Sequence, residues 1–254
     1  MTRGPRFWFR RNQQPLWERY HARLDALSHA EVNFDLARQH EYTRQNGWHI
    51  DDYTADLIQE PPGSPVAAGP WEVGCTMLRE YRFPDPKIVT GIYVPDTPLE
   101  KRVMLLQARA YGMTFFFGVK IAQLRDETVT TEQGQERVWG YSYQTLRGHY
   151  EQGQMDFAIV KNISSGKVQF RIHAFSKTGH IPNPFIRLGF RLFGRGVQVK
   201  FARNALKRMQ ALVQEELKRT AGKPPRDTTE TPAVMPAEQA PIQEMHKAKT
   251  QSKQ

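Results

Sequence analysis

The sequence predicts an α+β domain in which a curved antiparallel sheet of six to seven strands grips one long C-terminal helix. Three observations carry that expectation. From Trp71 to Phe175 the chain is a succession of strand-like runs with no helical run between them, and strands in direct succession pair as an antiparallel meander. In Val197–Thr220, residues Val199, Ala202, Leu206, Met209, Val213 and Leu217 recur at spacings of three and four, forming one apolar stripe. The stretch Trp139–Phe157 alternates at period two, which puts Tyr141, Tyr143 and Thr145 on one sheet face.

The elements follow in order. Trp17, Tyr20, Leu24 and Leu27 lie at helical spacing and predict a short helix over Trp17–Leu27. With the basic-aromatic start this makes residues 1–27 an N-terminal extension. Asn33 suits the cap of a helix through Gln45, ended by Gly47. Pro61–Pro70, rich in Pro, Gly and Ala, is a loop. Trp71, Val73, Cys75 and Met77 alternate as a first strand. Lys87–Val94, Arg102–Ala110 and Met113–Arg125 supply three more, with Gly112 marking a bend. The polar piece Asp126–Glu136 reads as a hairpin loop.

The Tyr-rich strand, the turn Arg147–Gly153 and a strand through Val160 come next. A turn at Asn162–Lys167 leads into Val168–Phe175. A helical piece over Asn183–Phe193 precedes Gly194 and Gly196, which predict a break or kink before Val197–Thr220. Residues 28–221 thus make a single domain. Gly222–Gln254 has five prolines and no aromatic residue. Such a segment buries too little apolar surface to offset its conformational entropy and is expected to be a disordered tail.

Composition narrows the class. The 254 residues include one cysteine, Cys75, which leaves no internal disulfide and no thiolate cluster for zinc. A reducing cytoplasm fits that usage. No run approaches the roughly 20 apolar residues of a membrane span. The start interleaves Phe7, Trp8 and Phe9 with Arg3, Arg6, Arg10 and Arg11, a pattern suited to an anionic bilayer surface. The net charge of +10 is concentrated late in the chain. Arg191, Arg195, Lys200, Arg203 and Lys207 are the candidate anion or membrane contacts within that basic stretch.

Two phenols and a hydroxyl on one strand face suit a lined cavity, because buried hydroxyls need partners. Tyr141, Tyr143, Thr145, His149, Phe175 and Ser176 are therefore the candidate ligand-binding residues. His149, in the turn beside Glu151, is the candidate general acid or base.

The same residues carry a family likeness. Tyr141, Tyr143, Thr145, Leu146, His149, Gly153 and Phe157 follow the pattern aromatic-x-Tyr-Gly-Thr-Leu-Pro-x-His, then a Gly-Glu turn and a Phe. A second match is Ala174, Phe175 and Ser176, and a third lies in the basic C-terminal helix. Over most of Trp71–Leu217 the chain resembles an uncharacterised bacterial and plant family, the domain of unknown function 1990. It departs from that pattern at Gln144 for Gly, Arg147 for Pro, and Gln154 with Met155 for an acidic pair. The family carries no assigned activity, so the resemblance implies a fold and a site rather than a reaction. The order of elements is also similar to the START and Bet v 1-like superfamily of helix-grip folds. That likeness implies a cavity between sheet and helix; a closed barrel or a two-layer sandwich without a cavity would give the same order of elements.

Several chemistries lack their residues. His40-Glu41 and His49 with Asp51 and Asp52 show no metal-ligand spacing, so no metal and no cofactor is expected. No Gly-x-Ser-x-Gly elbow and no phosphate-binding glycine loop occur. The expected function is a module binding a hydrophobic small molecule or lipid. An enzyme of the same architecture, using His149 with Tyr143 or Glu151, is the alternative. A further alternative is an adaptor peripheral to an anionic membrane; with no nucleic-acid motif, DNA or RNA is disfavoured as partner.

Overall fold

In a computed structural model the described residues are 14–110 and 112–221, with the side chains at 185, 186 and 189–193 excluded. The Arg-aromatic start, the tail beyond residue 221 and the Arg191 side chain lie outside that set.

Seven strands form one sheet: β1 (His49–Asp56), β2 (Val89–Ile92), β3 (Val103–Ala110), β4 (Met113–Thr131), β5 (Gly134–Thr145), β6 (Glu151–Asn162) and β7 (Val168–Thr178). Their order is β1-β7-β6-β5-β4-β3-β2, all antiparallel. The first strand pairs with the last, so the sheet curls without closing and β1 and β2 are its edges. A register shift between Ile121 and Leu124 marks a bulge in β4, which increases local twist and helps the sheet bend.

Among the described residues four α-helices accompany the sheet: α1 (Leu16–Arg19), α2 (His21–Ser28), α3 (Pro70–Arg79) and α4 (Pro184–Thr220). The concave face is covered by α3 and α4. Phe201, Ala205, Met209 and Val213 of α4 pack with Tyr141, Phe157, Phe170 and Ile172 of the sheet in one buried cluster. Met77 and Leu78 of α3 join the same cluster. Each of the Val, Leu, Ile, Phe and Met side chains among them contributes about 1.5–3 kcal/mol on burial, so the helical layer is held by packing rather than by helix propensity. On the opposite face α2 buries Leu24 against Ile92 and Leu105. Phe34, Tyr42 and Trp48 pack there around Phe175.

Four expectations need correction. Trp71–Met77 is not a strand but the helix α3. Pro70 sits in its first turn, after Gly69 as N-cap, where the missing N–H of proline costs nothing. Its buried residues include Trp71, Gly74, Cys75 and Leu78, a helical stripe that also contains the 71-73-75-77 alternation; short apolar runs fit both periods. The helix expected over Asn33–Gln45 is two 3₁₀ turns, Leu36–Glu41 and Arg44–Asn46, with Asp35 capping the first and left-handed Gly47 ending the second.

The following segment forms β1, an edge strand of half-buried and exposed residues without a clear apolar face. Asp126–Glu136 is not a loop: β4 and β5 run through it and turn at Glu132-Gln133. Finally, α4 is continuous across Gly194 and Gly196, and a Cβ at Gly196 would meet nothing within 4 Å. Trp17–Leu27 is helical as expected, interrupted at Tyr20.

Candidate functional site

Beneath the middle of α4 the space between helix and sheet is filled by the buried cluster. Space remains at the end where β5 runs into β6 and β7 runs out. There a cavity of about 50 Å³ is bordered by Tyr143, Thr145, His149, Glu151, Gly153, Met155, Ala174, Phe175 and Ser176 from the sheet end. Asp51 and Tyr53 of β1 and Gln198 and Ala202 of α4 complete its wall. A water needs roughly 10–15 Å³ on this measure. The void therefore admits the polar end of a molecule, not a whole drug-sized ligand, which needs about 300 Å³ or more.

The strand end is built by local ties. The Gly153 N–H donates to Thr145 Oγ1 at 2.9 Å, and Asn33 Nδ2 donates to the Glu151 carbonyl at 2.7 Å. Thr145 Oγ1 lies 2.6 Å from Asn33 Oδ1. These bonds engage the Thr145 hydroxyl in holding the turn. Gly153 has φ +150°, and a Cβ there would stand 2.1 Å from the Phe175 carbonyl oxygen. Only glycine lets β6 approach β7 so closely at the cavity wall.

Polar side chains from separate elements meet at this wall. Arg195 of α4 forms a bidentate pair with Asp51 of β1. Arg195 also donates to Gln198 Oε1 at 3.3 Å, and Gln198 Nε2 donates to Ser176 Oγ at 3.2 Å. The chain of bonds ties α4 to both β1 and β7, and it raises the Arg195 pKa chiefly through the Asp51 hydrogen bond.

Two titratable groups sit beside the void. Glu151 is half-buried as a residue, yet its carboxyl end is desolvated, and burial raises its pKa to about 7 against the pull of Gln198 and Arg195. His149 behaves oppositely. Burial of the ring lowers its pKa to about 4. Its Nδ1 accepts the Glu151 N–H at 2.9 Å, so the proton of the neutral ring is on Nε2. The ring lies over Phe117, with centroids 4.6 Å apart.

The sequence-predicted residues divide. Tyr143, Thr145, His149, Phe175 and Ser176 all border the cavity. The Phe175 ring packs largely with Phe34, Tyr42 and Trp48 on the other face. Tyr141 is not at the cavity; its buried hydroxyl donates to the Leu78 carbonyl at 3.0 Å, against α3. The Tyr143 hydroxyl has Met155 Sδ at 3.6 Å, a weak partner. Near it electrostatically, the buried Tyr81 hydroxyl has no partner in hydrogen-bonding geometry.

Asp51, Tyr53 and Gln198 were not read from sequence, because they reach the cavity from the far edge strand and from α4. Arg195, Lys200, Arg203 and Lys207 instead line a second, open cleft of about 460 Å³ along α4. Among the described residues, no three His, Cys, Asp or Glu side chains converge as metal ligands. No described helix is long and apolar enough to cross a membrane.

A family model described as a domain of unknown function (DUF1990) matches residues 34–208. No curated protein matches the chain. Among solved structures, the aromatase/cyclase ZhuI from Streptomyces sp. R1128 is similar at 12% identity and TM-score 0.44, over 69% of this chain and 98% of that one. A point mutant of norcoclaurine synthase from Thalictrum flavum, solved with a transition-state analogue, has 8% identity and TM-score 0.43, covering 66% and 95%. A START superfamily protein from Mycobacterium smegmatis has 10% identity and TM-score 0.40, covering 66% and 98%.

Proposed function

The chain belongs to the family described as a domain of unknown function, DUF1990, and from that premise we propose that it binds a small, largely hydrophobic molecule or lipid by its polar end. The observation that carries this reading is Glu151. Its carboxyl group borders the small cavity beside Gln198 and Arg195, and burial there raises its pKa to about 7, the kind of perturbation that clusters at binding and catalytic sites. Around it stand the Ser176 and Tyr143 hydroxyls and His149, whose neutral ring keeps an N–H to donate. Met155, Ala174 and Ala202 supply the apolar part of the wall. The void accepts a hydroxyl, carbonyl or amine head, and the apolar remainder lies towards the opening.

Native mass spectrometry on gently purified protein tests the reading, together with the fluorescence of anilinonaphthalene sulfonate. Ala202 is buried on the cavity wall, so Ala202→Trp fills the space. A co-purified mass, or dye fluorescence, that disappears in this variant supports binding there. No co-purified mass, with equal dye fluorescence in both proteins, overturns it.

A second reading, that the site moves a proton, is favoured by the same carboxyl group. An acid or base works best when its pKa lies near the operating pH. Glu151 meets that condition and His149 does not, so the acid/base role passes from His149 to Glu151. Carbon-13 detection of the Glu151 carboxyl during a pH titration checks it; a midpoint near the ordinary 4.5 removes this reading.

A further inference from the structure

Helix α4 carries no acidic residue from Pro184 to Gln214, while Arg187, Arg195, Lys200, Arg203, Lys207 and Arg208 fall within it. Lys200, Arg203 and Lys207 are exposed. Among the described residues, none of the three has a carboxylate within ion-pair distance, whereas Arg195, on the same face, is taken by Asp51. Their spacing of three and four places them on one side of the helix, along about 10 Å of its axis. The opposite side, with Phe201, Ala205 and Met209, is buried against the sheet.

The cations are not alone on this face. Val199 shares the cleft with them, and Leu188, eleven residues earlier and so on nearly the same helical azimuth, is 58% exposed. Apolar side chains interleaved with unpaired cations suit a lipid headgroup layer, where the apolar group enters between headgroups and the cations meet phosphates. A nucleic-acid backbone offers nothing to an exposed leucine.

We propose that this outer face of α4, centred on Lys200, Arg203 and Lys207, docks the protein onto an anionic bilayer. The location has a functional corollary. Arg195 borders the basic cleft and, through Asp51, also the wall of the small cavity. A docked helix therefore holds the cavity wall next to the lipid surface, from which an apolar ligand could partition. The docking itself stands independently of the ligand-binding reading.

Co-sedimentation of the full chain with vesicles tests it. Vesicles of phosphatidylcholine alone are compared with vesicles containing phosphatidylserine, in low and moderate salt. Binding is expected only to the anionic vesicles and weakens with salt. The variant Lys200→Glu/Arg203→Glu/Lys207→Glu should lower the partition at least tenfold, since each cation near such a surface is worth about fivefold. The variant Lys87→Glu/Lys101→Glu/Lys167→Glu, with the same change of net charge elsewhere, should lower it far less. Circular dichroism confirms that both variants fold. Three outcomes overturn the proposal: no binding by the unaltered chain, equal loss in both variants, or retention of duplex DNA at moderate salt in place of vesicles.

Discussion

Lys161 donates to Glu60 across 2.7 Å, and both side chains are fully buried although they lie 101 positions apart. The lysine also donates to the Ser64 carbonyl at 2.9 Å. The carboxylate accepts the N–H groups of Val66 and Trp71 at 3.0 and 2.8 Å. One carboxylate thus gathers the loop after β1, the first turn of α3 and the end of β6. Lys161→Met would leave that carboxylate buried without its cation. A loss of about 3–5 kcal/mol is expected, read as a lower urea midpoint. A loss under about 1 kcal/mol would contradict this account.

The two phenols of β5 should separate by experiment. Tyr141 bonds a buried carbonyl, so Tyr141→Phe is expected to lose about 1–2 kcal/mol and leave dye binding unchanged. Tyr143 has a sulfur at 3.6 Å and the Tyr81 hydroxyl close by, both weaker partners than a carbonyl, so Tyr143→Phe should shift stability by under about 1 kcal/mol while altering dye affinity. Thermal melts and dye titrations on the two variants check both halves; the reverse pattern would assign the cavity to the wrong tyrosine.

Stability should depend on pH through Glu151 and His149 with opposite signs. The Glu151 pKa is raised from 4.5 to about 7 in the fold. Its contribution is therefore fully present below pH 4.5 and is lost as pH rises through about 7. For His149 the pKa is lowered from 6.5 to about 4. Its contribution is present above pH 6.5 and is lost as pH falls towards 4. Glu151→Gln should accordingly be more stable than the unaltered chain at pH 8, by about 1–2 kcal/mol given its partial exposure, with the gap closing below pH 4.5. Urea denaturation at several pH values measures it; a gap that widens on acidification would refute the assignment.

What the sequence disclosed follows from the range of the forces involved. Alternation in β5 and the apolar stripe of α4 are strong, local and repeated, so sheet, helix and their contact were all legible. The turn carrying His149 and Glu151 and the exit of β7 at Ser176 lie on neighbouring strands, and the likeness of their motifs led to both. Gln198 and Asp51 carry no such signal, because their meeting at the cavity depends on which edge β1 joins and on how α4 lies. Helix α3 was misread because ten residues hold too few turns to separate two periodicities. The volume of the void was equally out of reach: sequence gives the faces, but only packed side chains decide how much of the gap they fill.

The position of α3 has a consequence for biogenesis. This helix buries its apolar side against β6, β7 and α4, all of which leave the ribosome well after it does. At about 5–20 residues per second, the segment waits several seconds with Trp71, Met77 and Leu78 uncovered. Newly made chains should therefore depend on chaperones that shield nonpolar segments until the final helix has been synthesised.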